Sequence, residues 1–124
     1  MNSINLENTY TSLPEEFFRY TEAEAMPDVN VVTINEQLAD LLNIDIGFLK
    51  SQSGLRFLSG KNSKTLPNSI SLAYAGHQFG HLVPQLGDGR AVLLGDKICQ
   101  DGVRRDIQLK GTGKTYFSRL GDGR

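Results

Sequence analysis

From His81 onward the apolar residues recur with a period of two, and each break in that pattern is a glycine turn. Such a run is confined to antiparallel strands. His81–Leu86 reads as a first strand, with Pro84 marking an edge or a bulge. Gly87-Asp88-Gly89 is a turn, and Arg90–Cys99 is a second strand, apolar at Val92, Leu93, Leu94 and Ile98. Gln100-Asp101-Gly102 is a hairpin turn, and Arg104–Lys110 is a third strand. Its alternation places Ile107 and Leu109 on one face and Asp106, Gln108 and Lys110 on the other, so Lys110 points away from the core side. The spacing predicts a three-stranded antiparallel meander over residues 81–110, with helices before it.

The pentapeptide Leu-Gly-Asp-Gly-Arg occurs twice, at 86–90 and at 120–124, on either side of the Lys110 strand. Glycines flanking an aspartate let the backbone take positive φ, so that N–H groups turn toward an anion. The arginine after each pair carries a planar fork suited to phosphate, and a lysine at a strand end adds a point charge. Glycine turn, strand, turn and strand with a terminal lysine is the way a kinase-type N-terminal lobe holds the phosphates of ATP. Asp122 repels phosphate directly; its role is to accept from hydroxyl or amino groups, to orient a neighbouring base, or to close its own turn.

The first 80 residues lack this patterning and read as an extension of helices and loops; residues 81–124 begin the nucleotide-binding lobe, an α+β arrangement. Residues 1–12 form an extended arm. Leu13–Tyr20 reads as a short helix led by Pro14, with Phe17 and Phe18 as its anchor. Val29–Ile34 is β-branched and reads as a short strand. Asn35 caps a helix over Glu36–Leu42 with Leu38, Leu41 and Leu42 on one face, and Asn43 ends it in the left-handed region. Asp45 caps a second helix through Lys50, with Phe48 and Leu49 inward. Residues 51–69 read as a loop holding one turn of helix. Ser69–Phe79 fits helix or strand.

Charge is divided along the chain. Residues 1–45 carry nine acids and one base, whereas residues 46–124 carry twelve bases and five acids. The basic half contains the glycine turns, and its field favours an anionic ligand. No stretch approaches the roughly 20 apolar residues of a membrane span. The acidic start resembles neither a signal nor a transit peptide, so a cytoplasmic protein is expected. Cys99 is the single cysteine, which excludes an internal disulfide.

Two tempting motifs fail. Gly111-Thr112-Gly113-Lys114-Thr115 has the ending of a P-loop, but the position of its first glycine is Gln108. His77 and His81 have the spacing of two metal ligands on a helix, but Gly76 and Gly80 oppose a helix and no acid completes the set.

The run through Tyr74-Ala75-Gly76-His77-Gln78-Phe79-Gly80, Gln85–Arg90, Ile107–Gly111 and Ser118–Arg124, with Asn8-Thr9-Tyr10 and Leu13-Pro14 near the start, closely resembles the selenoprotein O family. The resemblance covers essentially the whole chain. It implies a protein-kinase-like fold, of which this chain is the N-terminal portion, and a protein adenylyltransferase activity using ATP and Mg²⁺ or Mn²⁺. In this family ATP lies the opposite way round from a kinase's, so AMP passes to a Ser, Thr or Tyr hydroxyl of a protein and pyrophosphate leaves. The resemblance implies that Gly87, Gly89, Arg90, Lys110, Asp122 and Gly123 contact ATP. It also implies that the catalytic aspartate and the metal ligands lie beyond Arg124, so that this segment alone is inactive. Its partners are then ATP and hydroxyl-bearing proteins, with neither nucleic acid nor membrane. The alternative is a non-catalytic lobe that binds nucleotide or a partner.

Overall fold

A computed structural model describes residues 4–61 and 69–124. Five antiparallel strands form its sheet: β1 (Phe18–Tyr20), β2 (Ile70–Gln78), β3 (His81–Gly87), β4 (Ala91–Ile98) and β5 (Arg104–Lys110). Three short helices, α1 (Glu36–Leu41), α2 (Ile46–Leu49) and α3 (Gln52–Leu58), precede β2. The fold is α+β. Among the described residues no helix is long and apolar enough to cross a membrane.

The strands are where the alternation puts them, but their pairing differs from a meander. The order is β1-β2-β4-β5, and β3 pairs only with β2. Phe79 and Gly80 both have positive φ, 53° and 77°, so a two-residue turn folds β2 directly onto β3. That local hairpin outcompetes the β3–β4 pairing. β4 instead meets β2 at Ile70–Leu93 and runs its full length against β5, with a register shift between Leu93 and Gly95. The segment Ser69–Phe79 is thus strand, and the helical spacing of His77 and His81 does not apply; they flank the hairpin turn.

Both faces of β4 are covered, and Ala91–Asp96 are buried. On one face Val92, Leu94 and Leu109 pack against Ala39, Ile44, Phe48, Leu49 and Phe57 of the helical segment. On the other, Leu93 packs with Ile70 and Phe18, and Tyr10 and Leu72 close over them. Ile107 joins the helical side, while Asp106, Gln108 and Lys110 are exposed, as the alternation requires.

The helix caps read from sequence are present. Asn35 Oδ1 accepts from the Leu38 N–H at 2.9 Å, and Asp45 Oδ2 accepts from the Phe48 N–H at 2.8 Å. Asn43 has φ 53°. The inward residue of α1 is Ala39, however, while Leu38 is exposed. Three expectations fail. Leu13–Tyr20 holds only a 3₁₀ turn, Glu15–Phe17, before β1, since Phe18 enters the core by pairing with Leu72. Val29–Ile34 is not a strand, and Val31 and Val32 are exposed. The helix in 51–69 runs two turns rather than one, capped by the Ser51 hydroxyl on Gly54 N–H; residues 62–68 of that stretch lie outside the described residues.

The polar N-terminal arm is anchored. Glu7 and Asp96 exchange backbone hydrogen bonds of 2.9 and 2.7 Å beside Gly95, where any Cβ would overlap Glu7. The fully buried Asp96 carboxylate accepts from the Thr9 N–H (2.8 Å), the Thr9 hydroxyl (2.9 Å) and the Arg104 guanidinium, which also bonds Glu7. Burial opposes its charge, but the Thr9 donors and Arg104 outweigh burial and hold the carboxyl below its ordinary value.

Candidate functional site

The two Leu-Gly-Asp-Gly-Arg copies meet at the loop that follows β5. Gly111 N–H donates to Arg90 O at 2.7 Å, and Gly113 N–H donates to Gly123 O at 3.0 Å. The Arg90 guanidinium reaches Arg124 O at 3.5 Å. Residues 111–113 therefore join the first turn to the second, and Lys110 stands at the entry to this junction, opposite Ala91 in the ladder.

The copies are alike in sequence and different in shape. Of their four glycines only Gly123 has positive φ, at 75°. The expectation that both pairs open into the left-handed region is corrected for Gly87, Gly89 and Gly121. In the first copy glycine serves close approach instead: a Cβ on Gly87 would overlap the Phe117 ring. The first turn is also tied to the 115–118 segment by side chains. The Thr115 hydroxyl donates to Asp88 O, and the Ser118 hydroxyl to Gly89 O, each at 2.5 Å. The Asp88 carboxylate faces the Tyr74 hydroxyl; burial, then the Asp88 charge, raises the Tyr74 phenol above its ordinary value. Asp122 Oδ1 accepts from Arg124 N–H at 3.1 Å, so this carboxylate closes its own turn.

Arg90 and Lys110 are exposed. Among the described residues, neither they nor Lys114, Arg119 or Arg124 enters a salt bridge. The two arginines at the start of β5 behave differently: Arg104 is held by Glu7 and Asp96, and Arg105 by Asp101. A junction whose bases enter no salt bridge among the described residues attracts anions.

The Gly111–Thr115 segment is not a phosphate cradle of the P-loop kind. Four of its five amides are engaged: Gly111 with Arg90, Gly113 with Gly123, Lys114 with the Glu24 carboxylate, and Thr115 with the Ser118 hydroxyl. Beside the first turn lies a cavity of about 370 Å³, walled by Tyr74, Tyr116 and Phe117 with Arg119 and Gln78 at its rim. Tyr116 is stacked under Arg19 of β1, 5.0 Å from the ring centroid. Sequence reading missed Thr115, Phe117 and Ser118 as supports of the first turn. Their signal was Thr-x-x-Ser beside a glycine-rich loop, which closes on itself here through Thr115 N–H and the Ser118 hydroxyl.

The architecture is that of an α+β lobe in which an antiparallel sheet brings two glycine turns and a strand-end lysine to one basic junction. The family described as protein adenylyltransferase SelO matches over residues 1–124, and the chain belongs to that family. Among curated proteins it is 50% identical over 118 residues, 95% of its length, to the protein nucleotidyltransferase YdiU of Rhodopseudomonas palustris (strain BisB5). The protein of the same name from Alkalilimnicola ehrlichii is likewise 50% identical over 118 residues, and that of Nitrobacter winogradskyi is 50% identical over 121, or 98% of the chain. The chain spans 24% of the length of each of these relatives.

Proposed function

We propose that this segment supplies the first half of the ATP site of a cytoplasmic protein adenylyltransferase, within a kinase-like N-terminal lobe. The observation that carries the reading is the junction itself: two glycine turns joined through residues 111–113, with Arg90 and Lys110 exposed beside it and free of carboxylate partners among the described residues. In the proposed arrangement Lys110 sets its ammonium against phosphate oxygens, and Arg90 adds a charge-assisted bond. Gly87, Gly89, Asp122 and Gly123 shape the two turns around the nucleotide. The α-phosphorus is attacked by a Ser, Thr or Tyr hydroxyl of a protein substrate; the P–O bond to the β-phosphate breaks, and pyrophosphate carries away the negative charge.

Mg²⁺ enters this proposal as the counter-cation of ATP. Among the described residues no group of three or more His, Cys, Asp or Glu side chains is gathered to hold a metal, so no step on this chain is routed through it. The proposal places the metal ligands and the catalytic base in the part of the relatives' length that this chain does not span, and the segment alone is then inactive. The deciding experiment supplies the full-length polypeptide and a protein acceptor with ATP labelled on either the α- or the γ-phosphate. Label from the α position only is expected; transfer from the γ position identifies a kinase, and nucleotide binding with no transfer from either identifies a non-catalytic lobe.

A further inference from the structure

The junction loop has an outside support that contributes nothing to the candidate ligand residues. Glu24, in the irregular segment between β1 and α1, touches three successive residues of the loop. Its N–H donates to Thr112 O at 2.8 Å, and its carboxylate accepts from the Lys114 N–H at 3.3 Å. Between these bonds its aliphatic stem lies against Gly113, where any Cβ would overlap Glu24 Cγ. The adjoining Ala23 packs on Gly60 and into the helical core, so the support is itself anchored. Gly111, just before these three residues, bonds Arg90, and Gly113, the middle one, bonds Gly123. Displacing the loop therefore moves Lys110 and both turns relative to one another.

From this geometry we infer that Glu24 is a positioning residue for nucleotide binding: it sets the distance between Lys110 and the two glycine turns by clamping Thr112–Lys114. The inference rests on the nucleotide-site reading above. The Glu24 backbone bond survives any substitution but proline, so the side-chain contribution is separable. Glu24→Gln keeps an acceptor oxygen for Lys114 N–H, whereas Glu24→Ala removes both the acceptor and the stem.

The test uses the full-length protein, with ATP as the titrant and amide hydrogen exchange over residues 111–115 in the absence of nucleotide. One hydrogen bond of ordinary strength corresponds to about three- to tenfold in affinity. Glu24→Ala is expected to weaken ATP binding by that factor, to raise exchange at Lys114, and to leave the ligand-free melting temperature in place; Glu24→Gln restores ATP affinity to within twofold of wild type. Faster loop exchange in Glu24→Ala with ATP affinity changed less than twofold overturns this inference while leaving the ATP site standing. Equal loss in the Ala and Gln variants overturns it too, since charge rather than the clamp then decides affinity. A wild-type protein that does not bind ATP refutes the underlying reading and this inference with it.

Discussion

Replacing Asp96 by Asn tests how the N-terminal arm is held to the sheet. The carboxylate is fully buried and takes two Thr9 donors and Arg104. Hydrogen bonds to a charged acceptor contribute roughly 1.5–3 kcal/mol each. Both Thr9 donors meet Oδ2 and Arg104 meets Oδ1, so an asparagine oxygen at the Oδ2 position keeps the Thr9 bonds in weaker, uncharged form while its NH₂ faces the Arg104 guanidinium. Arg104 is exposed to solvent, which screens its share. The expected loss is about 2–4 kcal/mol at pH 7, a sizeable part of the roughly 5–15 kcal/mol of a typical domain. The pH dependence gives a second handle. The folded pKa of Asp96 lies below its unfolded value of 3.8, so its stabilisation is complete above that value and is lost as pH falls through the folded pKa. Asparagine does not titrate. The gap between wild type and variant therefore narrows as pH drops toward 3, each unit below 3.8 removing at most about 1.4 kcal/mol. Urea unfolding followed by far-ultraviolet circular dichroism at pH 7 and pH 3 measures both. A loss under about 1 kcal/mol at pH 7, or a gap that stays constant between the two, refutes the account of this network.

In the full-length protein, Lys110→Ala is expected to abolish labelling of proteins from α-labelled ATP; labelling near the wild-type rate removes Lys110 from the site. Arg90→Ala weakens ATP binding by about ten- to a hundredfold, the equivalent of one charge-assisted bond, and leaves the ligand-free melting temperature nearly unchanged, since the one hydrogen bond of its guanidinium among the described residues is a long one to Arg124 O. Calorimetric titration showing unchanged affinity makes Arg90 structural. Gly87→Ala drives a methyl group into the Phe117 ring and costs about 1–3 kcal/mol of stability; adding Phe117→Ala vacates the space, so thermal melts of the double variant show less loss than the two single losses combined.

The sequence by itself determined what depends on neighbours along the chain. Alternation over 91–98 and 104–110 located β4 and β5 and put Lys110 on the exposed face, because side chains of a strand alternate whatever it pairs with. Asn35 and Asp45 marked helix starts, because a cap acts on amides three residues away. The density of motifs identified the family. Pairing was decided only by the tertiary structure. β3 joins β2 because a two-residue turn at Phe79–Gly80 forms that hairpin with minimal loop closure, and nothing in the period of two selects one partner strand over another. The repeated pentapeptide shows the same limit at the site. Identical residues adopt different backbones, since a Cβ would meet the Phe117 ring at Gly87 in one copy and the Gly113 backbone at the left-handed Gly123 in the other. Asp96, Thr9 and Glu24 were silent in the sequence for that reason: Thr9 and Asp96 are 87 positions apart, and Glu24 lies 90 from Lys114. Contacts at such separations exist only after the sheet has brought the arm and the loop together.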